Sequence, residues 1–160
     1  MHTDKQYTDR FAREVIDLHI FFEDWFGGYC ENSEQVFAER LLDRMHGDFN
    51  IILPGGMMIY GAHFWPEFRK LYGSNPDFHI SIRAVQQQPL PGESVYLVNY
   101  QEWQRNALQS TPQNNGRLSS AVFVEDKDAP NGIKWFHVHE TWLPDGVMSA
   151  EPYDWEHDTK

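Results

Sequence analysis

Two imidazoles, a hydroxyl and an indole occupy alternate positions of one apolar stretch, residues 133–144, reading IKWFHVHETWLP. Side chains alternate across a strand, so Trp135, His137, His139 and Thr141 share one face, and Phe136, Val138, Glu140 and Trp142 the other. Histidine is the natural proton-exchanging group near neutral pH, which makes His139 a candidate general acid or base, with His137 beside it. The competing use is structural: a buried imidazole whose hydrogen bonds tie strands together. Two imidazoles on one side of a strand could also hold a metal. No acidic residue follows at a cupin-like spacing and Glu140 alternates to the other face, so neither a metal nor a cofactor is expected. Arg117 could fix a carboxylate or enolate oxygen through paired hydrogen bonds, or close a salt bridge at a strand start. Tyr60 and Trp103 could stack on a ligand, although packing is the commoner use of such rings.

The whole chain must position these groups. Its 160 residues suit a single domain, here 1–160 with a core over about 7–144 and an acidic tail over 145–160. Hydrophobic residues make up 41% and aromatics 15%, which excludes a disordered or fibrous class. A formal charge of -11 repels phosphate backbones and anionic membrane surfaces, so no nucleic acid and no membrane is expected as a partner. Cys30 is the single cysteine, which leaves no internal disulfide. The polar start MHTDKQYTDR lacks a secretory core, and no stretch approaches the roughly 20 apolar residues of a membrane span. A cytoplasmic setting is expected.

Apolar residues at spacings of three and four from Phe11 to Tyr29 predict an amphipathic helix over 7–29, with His19 beside the stripe as a partly buried, hydrogen-bonded residue. A capping box at Asn32 and Gln35 opens a second helix that runs to about His46, with Gly47 as its stop. DFNIILPGGMMIYG predicts two short strands around a Pro54-Gly55-Gly56 turn, and a third helix follows with Pro66 in its first turn. Long strands are predicted over 78–88, 93–105, 117–126 and from 133, separated by clusters of turn formers. Tyr153 and Trp155 could pin part of the tail to the body.

Helices followed by a run of antiparallel strands give an α+β class, with the helices gathered on one face of a curved sheet. This order resembles the nuclear transport factor 2-like superfamily, and within it the SnoaL-like families and the association domain of calcium/calmodulin-dependent protein kinase II. The most specific point of likeness is the final strand, where the family pattern W-x-x-x-H-x-H-x-S meets Trp135, His139, Thr141 and Leu143. DFNIILPGG and Gly61 also fall where such proteins place a first strand, a turn and a glycine. The resemblance implies a cone-shaped, cystatin-like sheet with three N-terminal helices on its concave face and a pocket within. Matching parity then assigns to the pocket Trp135, His137, His139 and Thr141, together with Val95, Leu97, Asn99, Gln101 and Trp103, and Arg117, Ser119, Ala121 and Phe123. The opposite set, Tyr96, Val98, Tyr100, Phe136, Val138 and Trp142, is too apolar for water and implies a homodimer through the outer sheet face.

Ketosteroid isomerase, a relative by fold, uses an Asp base with Tyr and protonated Asp donors. Here Leu53 precedes Pro54 where the base would lie, and Phe21 and Phe22 stand near the tyrosine position, so that mechanism is not expected. Two readings follow. One is a cofactor-free lyase, isomerase or hydrolase acting on a hydrophobic, oxygenated small molecule, with His139 and Arg117 catalytic and Asn99 or Gln101 orienting the substrate. The other is a non-catalytic ligand-binding or oligomerisation module.

Overall fold

A computed structural model describes residues 9–155. Helix α1 (Arg10–Gly27) starts at Asp9, whose side chain accepts from the Phe11 amide, and stops where Gly28 adopts φ 74°. That left-handed conformation costs little for a residue without a Cβ. The apolar stripe of α1 buries Phe11, Val15, Leu18, Phe21 and Trp25. Helix α2 (Glu34–Arg40) is capped by Ser33 rather than Asn32 and is shorter than the periodicity predicts. A single 3-10 turn (Leu42–Arg44) follows, and strand β1 (Met45–Ile52) already begins at Met45. Gly47 therefore lies within a strand instead of ending a helix.

Strand β2 (Met58–Tyr60) pairs back on β1 across the Pro-Gly-Gly turn. Helix α3 (Gly61–Arg69) comes next, with Pro66 inside it. Strands β3 (His79–Gln88), β4 (Val95–Arg105), β5 (Asn115–Glu125) and β6 (Ile133–Trp142) then build one six-stranded sheet ordered β2-β1-β6-β5-β4-β3. The architecture is the α+β class read from the order of elements. The sheet is antiparallel except at β1 and β6, which run parallel, because the last strand inserts between β1 and β5.

The helices cover the sheet face that carries Tyr96, Val98, Tyr100, Ala121, Phe123 and Val138. Phe11 meets Tyr96 at 4.9 Å and Phe123 at 6.3 Å between ring centroids, and His19 meets Tyr100 at 5.6 Å. Parity on β4 is thus opposite to that assigned from sequence. The more apolar register, Tyr96, Val98 and Tyr100, faces the core, as burial of apolar area requires. The mixed register, Leu97, Asn99 and Gln101, faces out.

On β6 a bulge changes the parity within the strand. Phe123 pairs with Trp135 and Val122 with His137, which leaves Phe136 as an extra residue. Regular alternation would put Trp135 and His139 on one face. With the bulge, Trp135, Val138 and Glu140 face inward, and His137 and His139 face out.

The segment after β6 is not a free tail as far as Trp155. Helix α4 (Asp145–Ala150) buries Met148. Arg83 holds both oxygens of Glu151 at 3.1 Å, and Arg105 donates to the carbonyls of Tyr153 and Trp155. Trp103 lies beneath, its ring 6.0 Å from that of Tyr153. The guanidinium groups and indoles supply the adhesion that a bare acidic sequence would lack. Glu156 and Asp158 at the acidic end, like Tyr7 at the other, lie outside the described residues. Among the described residues no helix is long and apolar enough to cross a membrane.

Candidate functional site

Between α1, α3 and the inner sheet face lies a cavity of about 260 Å³. Its walls are largely aromatic and aliphatic: Phe22 and Phe26 from α1, Phe49 and Ile51 from β1, Phe64, Trp65 and Phe68 from α3, and Phe78 and Ile80 at the start of β3. Four charged side chains also line it: His19, Glu102, Arg117 and Glu140.

Strand register brings three of the four together. Glu102 pairs with Arg117 across β4 and β5, while Tyr100, Ser119 and Glu140 form the next row across β4, β5 and β6. Arg117 Nη1 donates to Glu140 Oε2 at 2.7 Å, and Nη2 donates to Gln104 Oε1 at 3.1 Å and Asn115 Oδ1 at 3.2 Å. The guanidinium also lies over the Trp142 ring, 5.0 Å from its centroid. From α1, His19 directs Nδ1 at the Val15 carbonyl (2.6 Å) and Nε2 at Glu102 Oε2 (3.1 Å). A carbonyl can only accept, so Nδ1 carries a proton. Glu102 Oε1 accepts from Gln104 Nε2 at 2.6 Å.

These groups set one another's protonation. Burial disfavours the Glu102 anion, but the His19 charge and hydrogen bond outweigh it and hold the carboxyl at about 2. Burial likewise disfavours an imidazolium at His19, and the Glu102 carboxylate overcomes it, raising the pKa. His19 and Glu102 are therefore an ion pair, with both ring N–H groups donating. Glu140 differs. Burial pushes it up to about 7; Arg117 offsets this only in part, and the neighbouring Glu102 anion adds to the rise. One carboxylate of the two is fully ionised and the other titrates near neutrality. Such a cluster is a poor stabilising device, because apolar packing of equal volume is commonly as stable.

The residues singled out in the sequence divide between the two faces. Arg117 and Trp135 line the cavity, and the Trp135 indole donates to Glu14 Oε1 at 3.0 Å. Ser119 is buried on the inner face between Tyr100 and Glu140. His137, His139 and Thr141 lie on the outer face because of the Phe136 bulge; His137 Nδ1 is 2.7 Å from Asn50 Oδ1, and His139 and Thr141 are exposed. Asn99 is bonded to Ser120 Oγ at 2.7 Å on that same outer face, and Gln101 accepts from the Trp103 indole at 3.1 Å. Trp103 is buried beneath the C-terminal strap, and Tyr60 is exposed at the end of β2. His19, Tyr100, Glu102 and Glu140 were not singled out as site residues. The available signal was an acidic residue in the more apolar register of each strand, Glu102 after Val98 and Tyr100, and Glu140 after Val138.

Residues 11–144 match the family model described as sucrose-6-phosphate phosphohydrolase C-terminal. The chain belongs to that family. Sucrose-phosphatase 2 of Nicotiana tabacum is 25% identical over 146 residues, covering 90% of this chain and 33% of the tobacco protein. This family member thus spans about a third of the length of the curated relatives it matches. Among solved structures, an NTF-2 like protein of unknown function from Pseudomonas aeruginosa superimposes with a TM-score of 0.70 at 22% identity, covering 85% of this chain and all of the other. The CaMKII hub of S. rosetta gives 0.50 at 13% identity, over 72% of this chain and 95% of the hub. The fold of this family member is accordingly NTF2-like, the superfamily that the order of its elements resembles.

Proposed function

We propose that this domain binds a small, mainly apolar organic molecule in its cone cavity, with the polar end of the ligand at Glu140 and Tyr100. The observation that carries this reading is a buried, fully ion-paired cluster in the wall of an aromatic cavity. Apolar walls with a few convergent polar groups are the usual make-up of small-molecule sites, and burying four charges gains little stability that leucines would not supply. Any proton transfer to a bound molecule falls to Glu140, because His139 lies across the sheet from the cavity.

The names of the tobacco relatives suggest a phosphorylated sugar. The cavity chemistry argues against one here: each of its two cations already has a carboxylate partner, and most of its wall is hydrocarbon. An unpaired phosphate dianion would add charge that nothing in the cavity neutralises.

A second reading, self-association through the outer sheet face, is favoured by the hub-like fold and by apolar residues there, with Val95 and Leu118 exposed. It is compatible with ligand binding on the inner face.

The binding reading is tested by thermal shift and native mass spectrometry with a panel of apolar bicyclic compounds, on the wild type and on Leu53→Trp, which fills the cavity from its wall. Saturable stabilisation of the wild type that the filled variant loses is expected. Stabilisation that persists unchanged in the filled variant, or none from any compound, would refute the reading.

A further inference from the structure

The hydrogen bonds around the cavity can be balanced atom by atom, and the balance restricts the ligand. His19 uses both ring nitrogens and Glu102 both oxygens. Glu140 accepts from Arg117 through Oε2; among the described residues none donates to Oε1, and Glu140 lines the cavity. The three donors nearby that lack a partner among the described residues, Arg117 Nε, Ser119 Oγ and Trp65 Nε1, are sealed in protein and cannot be reached. Once Glu140 is ionised, above about 7, its remaining carboxyl oxygen asks for a donor. In the same cross-strand row stands the Tyr100 phenol, which can donate in return. A single uncharged atom that donates to one and accepts from the other is a hydroxyl oxygen. An ammonium has no lone pair to offer Tyr100, and a carbonyl has no proton to offer Glu140.

Charge points the same way. The charged side chains lining the cavity are two cations, His19 and Arg117, and two carboxylates, Glu102 and Glu140. A ligand with a unit charge would leave that set unbalanced in a medium where an unpaired charge is costly. Size adds a third limit. An apolar cavity of about 150 Å³ accepts benzene, so this one, at about 260 Å³, suits about ten to twelve non-hydrogen atoms.

We propose that the ligand is an uncharged alcohol of about two fused rings, its hydroxyl donating to Glu140 Oε1 and its rings lying against Phe22, Phe49, Trp65 and Phe68. This rests on the cavity being a binding site and deepens that reading.

The test is a matched series differing in one substituent: tetralin, 2-tetralol, 2-aminotetralin and tetralin-2-carboxylate, titrated calorimetrically at pH 8. The alcohol is expected to bind roughly tenfold or more tighter than the hydrocarbon, the gain of a hydrogen bond to a charged acceptor. The ammonium and carboxylate compounds are expected to bind more weakly than tetralin itself. In Glu140→Gln the amide oxygen remains drawn to Arg117 and an N–H faces the cavity, so the advantage of the alcohol should fall below about threefold with tetralin affinity unchanged. Equal binding of tetralin and 2-tetralol to the wild type would overturn the assignment of a hydroxyl while leaving the cavity a binding site. Tightest binding by the amine or the carboxylate would overturn the neutral-ligand assignment in the same way. No binding by any member would overturn both. The wild-type comparison stands whether or not the variant folds.

Discussion

Arg117 Nη1 lies 2.7 Å from Glu140 Oε2 with both side chains at least nine-tenths buried, so neither charge has water to fall back on. Removing one partner strands the other. Arg117→Met should cost about 3–5 kcal/mol, whereas the double change Arg117→Met with Glu140→Leu should recover most of that loss. Urea denaturation of the wild type, both single variants and the double variant gives the cycle. A double variant as unstable as the Arg117 single would show that the loss comes from packing and not from the isolated charge.

The pH dependence of stability has two limbs with opposite signs. Glu140, harder to ionise when folded, contributes stability that is fully present below its unfolded pKa and is lost as pH rises through about 7. His19, also raised, acts in the same direction. Glu102, held at about 2, contributes stability that is present above its unfolded pKa and is lost as pH falls toward 2. Between pH 5 and 8 the wild type should lose on the order of 1–3 kcal/mol relative to Glu140→Gln. Thermal melts of the two proteins across that range measure the difference, and parallel curves would show that Glu140 does not titrate there.

His139 was the strongest candidate base in the sequence and is the clearest control in the structure. His139→Gln, on the exposed outer face, should leave ligand affinity within about twofold, while Tyr100→Phe on the inner face should weaken binding of an alcohol by about fivefold or more. Calorimetry on the two variants separates the faces of the sheet. Weakened binding in the His139 variant alone would reverse the assignment.

Gly28 ends α1 at φ 74°, and a Cβ placed there would stand 3.3 Å from the Gly73 Cα. Backbone strain and the close approach add, so Gly28→Ala should destabilise by about 1–2 kcal/mol. Chemical denaturation checks this, and an unchanged midpoint would mean that the helix end relaxes to another conformation.

Much of the architecture was legible in the chain. The spacing of Phe11, Val15, Leu18 and Trp25 specifies a helix with one buried face, and the turn formers after Gln88, Arg105 and Asp126 divide the strands close to where they part. Those are local properties, set by side-chain periodicity and by the backbone preferences of Gly, Pro and Asn. Which face of each strand meets the helices was not local. On β4 the choice followed apolar area, which favours Tyr96, Val98 and Tyr100 over Leu97, Asn99 and Gln101. On β6 it depended on a single extra residue, Phe136, whose effect appears only once β5 fixes the register. The cluster of His19, Glu102, Arg117 and Glu140 joins positions up to 121 residues apart, from His19 to Glu140. Their ionisation arises from mutual burial, which has no meaning before the chain is folded. Local side-chain pattern set the type and order of the elements; the face, the cavity and the protonation states came from the folded chain, because burial and register are properties of neighbours in space.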